Sequence, residues 1–119
     1  MSLAKPIEEY DCVEVWAQSL KQQWGGDPMA EEPAKLDHLR EFCEFVGMDP
    51  DAVVAYCFLR KRETGEKFLS VKRRQDLTAK LRACRDARES ESKTQRRVFA
   101  ADALSFLIHN GVQMNAGSV

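Results

Sequence analysis

The sequence predicts an all-α protein, a compact bundle of four to five helices. Apolar residues recur at intervals of three and four through most of the chain, and no stretch alternates convincingly as a half-buried strand does. Helix punctuation falls where those periodic stretches end: Gly25-Gly26-Asp27-Pro28, Gly47, Ser90-Glu91-Ser92 and Gly111.

The first helix is expected from about Pro6 to Trp24, with Ile7, Tyr10, Val13, Trp16, Leu20 and Trp24 on its buried face. Pro6 suits a first turn, and Glu8, Glu9 and Asp11 favour the positive end of the helix dipole. The second starts near Pro33, buries Leu36, Leu39, Phe42, Cys43 and Val46, and stops at Gly47. In the third, Asp49 caps, Pro50 fits the first turn, and Val53, Val54, Cys57 and Phe58 turn inward until the helix fades near Gly65. The fourth runs from about Val71 to Arg88 behind a Ser70 cap. Leu77, Leu81 and Cys84 form its narrow stripe, widened by Val71, Ala83 and Ala87. The fifth runs from about Lys93 to Asn110. Its wide face of Val98, Phe99, Ala103, Leu104, Phe106, Leu107 and Ile108 suits a central helix. Glu66 to Leu69 is the one candidate strand, and it is too short to count.

A chain of 119 residues fits a single domain, 1–119, with an ordered core over 6–112 and a frayed tail over 113–119. No apolar run approaches the roughly 20 residues that span a bilayer, and the N-terminus lacks a secretory pattern. A soluble, cytoplasmic protein with no membrane contact is therefore expected. Cys12, Cys43, Cys57 and Cys84 show no C-x-x-C pair, so they read as small reduced thiols rather than zinc ligands. No metal and no cofactor are expected.

The net charge of −1 conceals a segregation of sign. Residues 1–59 carry 4 Lys and Arg against 12 Asp and Glu, whereas residues 60–97 carry 14 against 6. Local field rather than net charge steers a polyanion. Three basic clusters stand out: Arg60-Lys61-Arg62, Lys72-Arg73-Arg74, and Lys93 with Arg96-Arg97. The first closes the third helix, and the others open the fourth and fifth. The fourth adds Lys80, Arg82, Arg85 and Arg88. Cations on adjoining helices are what phosphate binding requires. Thr94 and Gln95 supply hydrogen-bonding groups of the kind that meet phosphates and base edges. The DNA-binding candidates are thus Lys72, Arg73, Arg74, Thr94, Gln95, Arg96 and Arg97. The same charges also suit a solvated helix face.

Enzyme signatures are absent: there is no phosphate-binding glycine loop, nucleophile elbow or H-E-x-x-H. His38 and Cys43 are five residues apart, a spacing that does not hold both on one helical face. His109 reads as a partner for a helix C-terminus. No catalytic residue is expected.

Two passages carry a resemblance. One is Leu39-Arg40-Glu41-Phe42-Cys43-Glu44-Phe45-Val46-Gly47 followed by Asp49-Pro50-Asp51-Ala52-Val53. The other is Ser92-Lys93-Thr94-Gln95-Arg96-Arg97, ending in Phe106-Leu107 and Asn110-Gly111. In order and spacing they resemble the N-terminal, SAM-like core-binding domain of the tyrosine recombinase (phage integrase) family over residues 35–112. The resemblance implies a module that clamps one side of double-stranded DNA in recombination or integration, with Thr94, Arg96 and Arg97 near the backbone or groove. The family's catalytic residues lie in a separate domain with no counterpart here. Tyr10 and Tyr56 fall on apolar faces of early helices, so neither matches its tyrosine nucleophile. The acidic residues 1–59 depart from the charge expected of a DNA clamp. The alternative is a helical protein–protein interaction module without a nucleic-acid role, in which Trp16 or Trp24 anchors a partner or a second copy.

Overall fold

Tyr10 sets where the first long helix begins. Periodicity placed the start near Pro6, but Ile7–Glu9 form a separate 3-10 turn, and Tyr10 is extended before α1, Asp11–Trp24. The break lets the turn reach across to a later helix and buries both Ile7 and Tyr10. No side chain of Tyr10 caps α1. Instead the Asp51 carboxylate accepts from the Cys12 N–H at 2.9 Å. The structure is a computed structural model that describes residues 2–114.

Asp27 caps a four-residue helix, α2, Pro28–Glu31, in the segment read as a break. Then follows α3, Ala34–Val46, which ends at Gly47 in the left-handed region (φ 73°, ψ 28°), where a side chain is strained. Asp49 caps α4, Pro50–Tyr56, by accepting from the Ala52 N–H at 2.8 Å.

The chain departs from expectation beyond Tyr56. The helix does not run on toward Gly65. Phe58–Arg60 (β1) and Lys67–Leu69 (β2) pair antiparallel, with Phe58 opposite Leu69, Leu59 opposite Phe68 and Arg60 opposite Lys67. Gly65, at φ 72°, makes the reversal possible, and the Lys61 N–H donates to the Glu66 carbonyl across it. Cross-strand partners are distant in sequence, so local periodicity does not register them.

Ser70 caps α5, Val71–Asp86, and α6, Lys93–His109, opens with a reciprocal capping box between Ser92 and Gln95. Val112 folds back on the last turn, its N–H donating to the Leu107 carbonyl. The chain is an all-α bundle with one small hairpin.

Its core sits around α6, which packs against α1, α3 and α5. Trp16, Phe42, Phe99 and Phe106 are its largest fully buried side chains. Trp16 meets Phe106 edge-on at 5.6 Å and donates its indole N–H to Ser105 at 3.0 Å. Several expected core residues lie outside. Trp24, Val71, Val98 and Ile108 are exposed, as are Ala83 and Ala87, because the helical stripes in contact are narrower than the apolar sequence pattern. Tyr56 leaves the apolar face assigned to it and donates its phenol to Asp76 at 2.7 Å. Packing also reaches past 6–112: Leu3 and Met114 rest against the core. The rest of the tail expected to fray, 115–119, lies outside the described residues. Among the described residues no helix is long and apolar enough to cross a membrane.

One buried carboxylate joins α3 to α6. Asp102 is 6% exposed; it accepts from Lys35 Nζ at 3.1 Å and from His38 Nδ1 at 2.6 Å. An ionised carboxylate only accepts, so His38 carries its proton on Nδ1. The imidazole lies over Phe99 with ring centres 5.5 Å apart. Burial alone would lower the Lys35 pKa, but the Asp102 and Glu32 carboxylates reverse that and raise it above 10.5. Because the folded value is raised, this contribution to stability is complete below pH 10.5 and lost as pH climbs through the raised value. Asp102→Ala leaves His38 without its partner and Lys35 with Glu32 alone, and is expected to lower unfolding stability by about 3 kcal/mol. In urea this appears as a lower midpoint at unchanged slope. A change below about 0.5 kcal/mol, the size of an ordinary surface substitution, would show that the network does not hold the helices together.

Candidate nucleic-acid interface

Helices α5 and α6 form an antiparallel hairpin, so the starts of the two helices lie at opposite ends of it. The basic clusters that open them are therefore separated by most of the length of α5. What joins them is a seam between the two helices, with a hollow at each end. Arg74, Gln75, Thr78 and Arg82 of α5 line the first with Ile108 and Gln113. Arg85 and Asp86 line the second with Lys93, Arg96, Arg97 and Ala100.

The helical period explains the membership. Arg74, Thr78, Arg82 and Arg85 follow one another at four, four and three residues and so share one face of α5. Lys93, Arg96, Arg97 and Ala100 do the same on α6. Six cations thus flank the seam against a single carboxylate, Asp86. Arg85 Nε donates to Asp86 at 3.0 Å, and this bond holds the Asp86 carboxyl below its ordinary pKa. Arg74 donates to the Gln113 carbonyl at 3.1 Å. Arg82, Lys93, Arg96 and Arg97 form no ion pair among the described residues.

The residues proposed from sequence divide accordingly. Arg74, Arg96 and Arg97 lie along the seam. Lys72 and Thr94 are exposed, but neither lines the seam. Arg73 stacks on the Tyr56 ring, 5.0 Å from its centre, and donates to the Tyr56 carbonyl at 3.3 Å. The Gln95 side-chain oxygen accepts from the Ser92 N–H at 2.8 Å within the capping box. Arg82, Arg85 and Lys93 also line the seam; the sequence marks them as basic residues of these helices but leaves them off the set of DNA-binding candidates. For Arg82 and Arg85 the signal is the four-four-three spacing along α5, whereas adjacent residues point about 100° apart around a helix.

Among the remaining cations of the basic half, Arg62 and Lys72 form no ion pair among the described residues, and Lys61 pairs with Glu66 at 3.5 Å. Lys80 pairs with Asp76 at 3.2 Å. Arg88 lies over the Phe99 ring and pairs with both Glu41 and Glu91, while its Nε has no partner among the described residues. Arg88–Glu41 is also the one ion pair among the described residues between the acidic residues 1–59 and the basic 60–97. The fold therefore leaves the positive charge of the second half largely unneutralised.

Groups able to perform chemistry are tied up elsewhere. His38 is held by Asp102, and His109 Nδ1 is hydrogen-bonded to Ser19 Oγ. Among the described residues no three His, Cys, Asp or Glu side chains cluster as a metal site. Comparison with protein families, with curated proteins and with solved structures finds no match. Fold and seam together define the class: an all-α bundle with a cation-lined surface between its last two helices.

All four cysteines are free thiols. Burial pushes Cys43 up to about 12, and Cys57 and Cys84 up to about 11. Cys12 is only half-buried, yet desolvation followed by the Asp51 and Asp11 carboxylates raises it to about 12. The thiolate is the reactive species. All four are thus expected to react slowly with an aromatic disulfide reagent at neutral pH and quickly once the chain is unfolded. A thiol that titrates at once in the folded protein would contradict this assignment.

Proposed function

We propose that the chain is a double-stranded DNA-binding helical module, with the α5–α6 seam as its phosphate-binding surface. The observation that carries this reading is the set of six cations, five of them free of ion pairs among the described residues, facing one carboxylate along the seam. From Arg74 to Arg85 the α5 face extends about 17 Å at 1.5 Å per residue, about five steps of a duplex strand. Arginine suits this use because its fork of donors matches phosphate oxygens.

The order of the two recombinase-like passages supports placing the module beside the core-binding domains of tyrosine recombinases. Leu39, Phe42 and Cys43 of the first, and Phe106 and Leu107 of the second, are core residues. Arg96 and Arg97 of the second line the seam. On this reading the chain holds DNA and performs no strand cleavage itself.

Fluorescence anisotropy with a labelled duplex of about 30 base pairs tests the reading. Neutralising about six phosphates predicts roughly a thousandfold weaker binding when salt rises fourfold. Arg96→Ala/Arg97→Ala is expected to lower the logarithmic salt slope by about 2. Lys72→Ala, off the seam, is expected to leave it nearly unchanged. Absence of binding by folded protein at low salt would remove the DNA reading and leave an acidic protein surface as the partner the seam fits.

A further inference from the structure

Trp24 is the most exposed large apolar side chain among the described residues, 74% exposed at the last position of α1. It forms one wall of a cleft whose other wall is the outer face of α6, including Arg97, Ala101 and Ser105. We propose that this cleft takes an unpaired nucleobase, stacked on the Trp24 indole, from a strand whose phosphates lie in the α5–α6 seam. The inference rests on the DNA reading above and extends it from backbone binding to capture of a base.

Continuity is the first argument. Arg97 and Ala100 line both the seam and the cleft, so a strand held in one is already at the mouth of the other. Ala100 and Ala101 carry only a methyl each, which keeps the surface between the two low.

Size and chemistry agree. The cleft measures about 390 Å³, within the roughly 300–1,000 Å³ typical of small-ligand sites. Every base offers a π-face, and stacking on an aromatic side chain is tolerant of sequence. The Gln23 amide and the Ser105 hydroxyl lie in the lining as hydrogen-bonding groups for a base edge.

Charge sets the direction of approach. Arg97 faces the cleft from α6, while Glu31 and Glu32 lie on the opposite side of Trp24. Glu32 is held by Lys35 at 3.3 Å, and Lys35 is also bound to Asp102. A polyanion therefore enters over α6 and not over α2. Bases inside an intact duplex are already stacked and paired, so the cleft discriminates for an end, a gap or a flipped nucleotide.

Tryptophan emission provides the test, because Trp16, the only other tryptophan, is fully buried. Two probes are compared: a blunt duplex of about 30 base pairs, and the same duplex with a single-stranded end of about five nucleotides. The tailed probe is expected to quench Trp24 emission and to bind about tenfold more tightly than the blunt one. Trp24→Ala should abolish that gain and leave blunt-duplex affinity unchanged. Its melting temperature should match the wild type, since the side chain is mostly in solvent. Equal affinity for the two probes with unmoved Trp24 emission overturns the base cleft and leaves the seam standing. Failure to bind either probe overturns both. Loss of self-association in Trp24→Ala, with both DNA affinities unchanged, assigns the indole to a contact between copies and overturns the proposal.

Discussion

The burial of α6 on three sides is the constraint on which the rest of the structure depends. Phe99, Ala103, Phe106 and Leu107 are wholly enclosed by α1, α3 and α5, leaving one narrow strip of the helix in solvent. A helix so enclosed must satisfy any polar group on its inner faces. Asp102 does so with both carboxylate oxygens, and Asn110 donates to the carbonyls of Cys12 and Phe106. These bonds fix the rotation of α6 about its axis. The exposed strip, and with it the position of Arg97, follows from that rotation.

The distribution of charge follows a different logic from that of the core. Lys93, Arg96 and Arg97 stand at the positive end of the α6 dipole, where each costs a few tenths of a kcal/mol. The Ser92–Gln95 capping box offsets that cost by about 1 kcal/mol. Folding alone gives no reason for cations there, nor for keeping the acidic and basic halves joined by one ion pair among the described residues. The phosphate binding proposed above would give a reason for both.

Much of the fold was legible in the sequence. Gly47, Asp49-Pro50, Ser70 and Ser92 mark helix boundaries by local chemistry, and the structure uses each in the expected way. Features decided by distant partners were not legible. The hairpin depends on Phe58 meeting Leu69, and the break at Tyr10 depends on packing against α3. Asp102 is an isolated charge in the sequence, because nothing local connects it to Lys35 and His38 more than 60 residues earlier. The seam was half visible. Runs such as Lys72-Arg73-Arg74 catch the eye, but a helix sends consecutive residues to different faces, and the spaced set from Arg74 to Arg85 lies together.

The β1–β2 hairpin has a bearing on the colloidal behaviour of the protein. Two strands have two open edges, and each presents unpaired backbone donors and acceptors that a second chain can join. Here both strands are only three residues long, and in and beside the turn between them Arg60, Lys61, Arg62 and Lys67 outnumber Glu63 and Glu66, leaving the hairpin net positive. A second hairpin docking edge to edge would bring those positive charges against its own. Like-charge repulsion and short length together leave the ladder closed to extension, so Phe58 and Phe68 can sit near the surface without seeding aggregation.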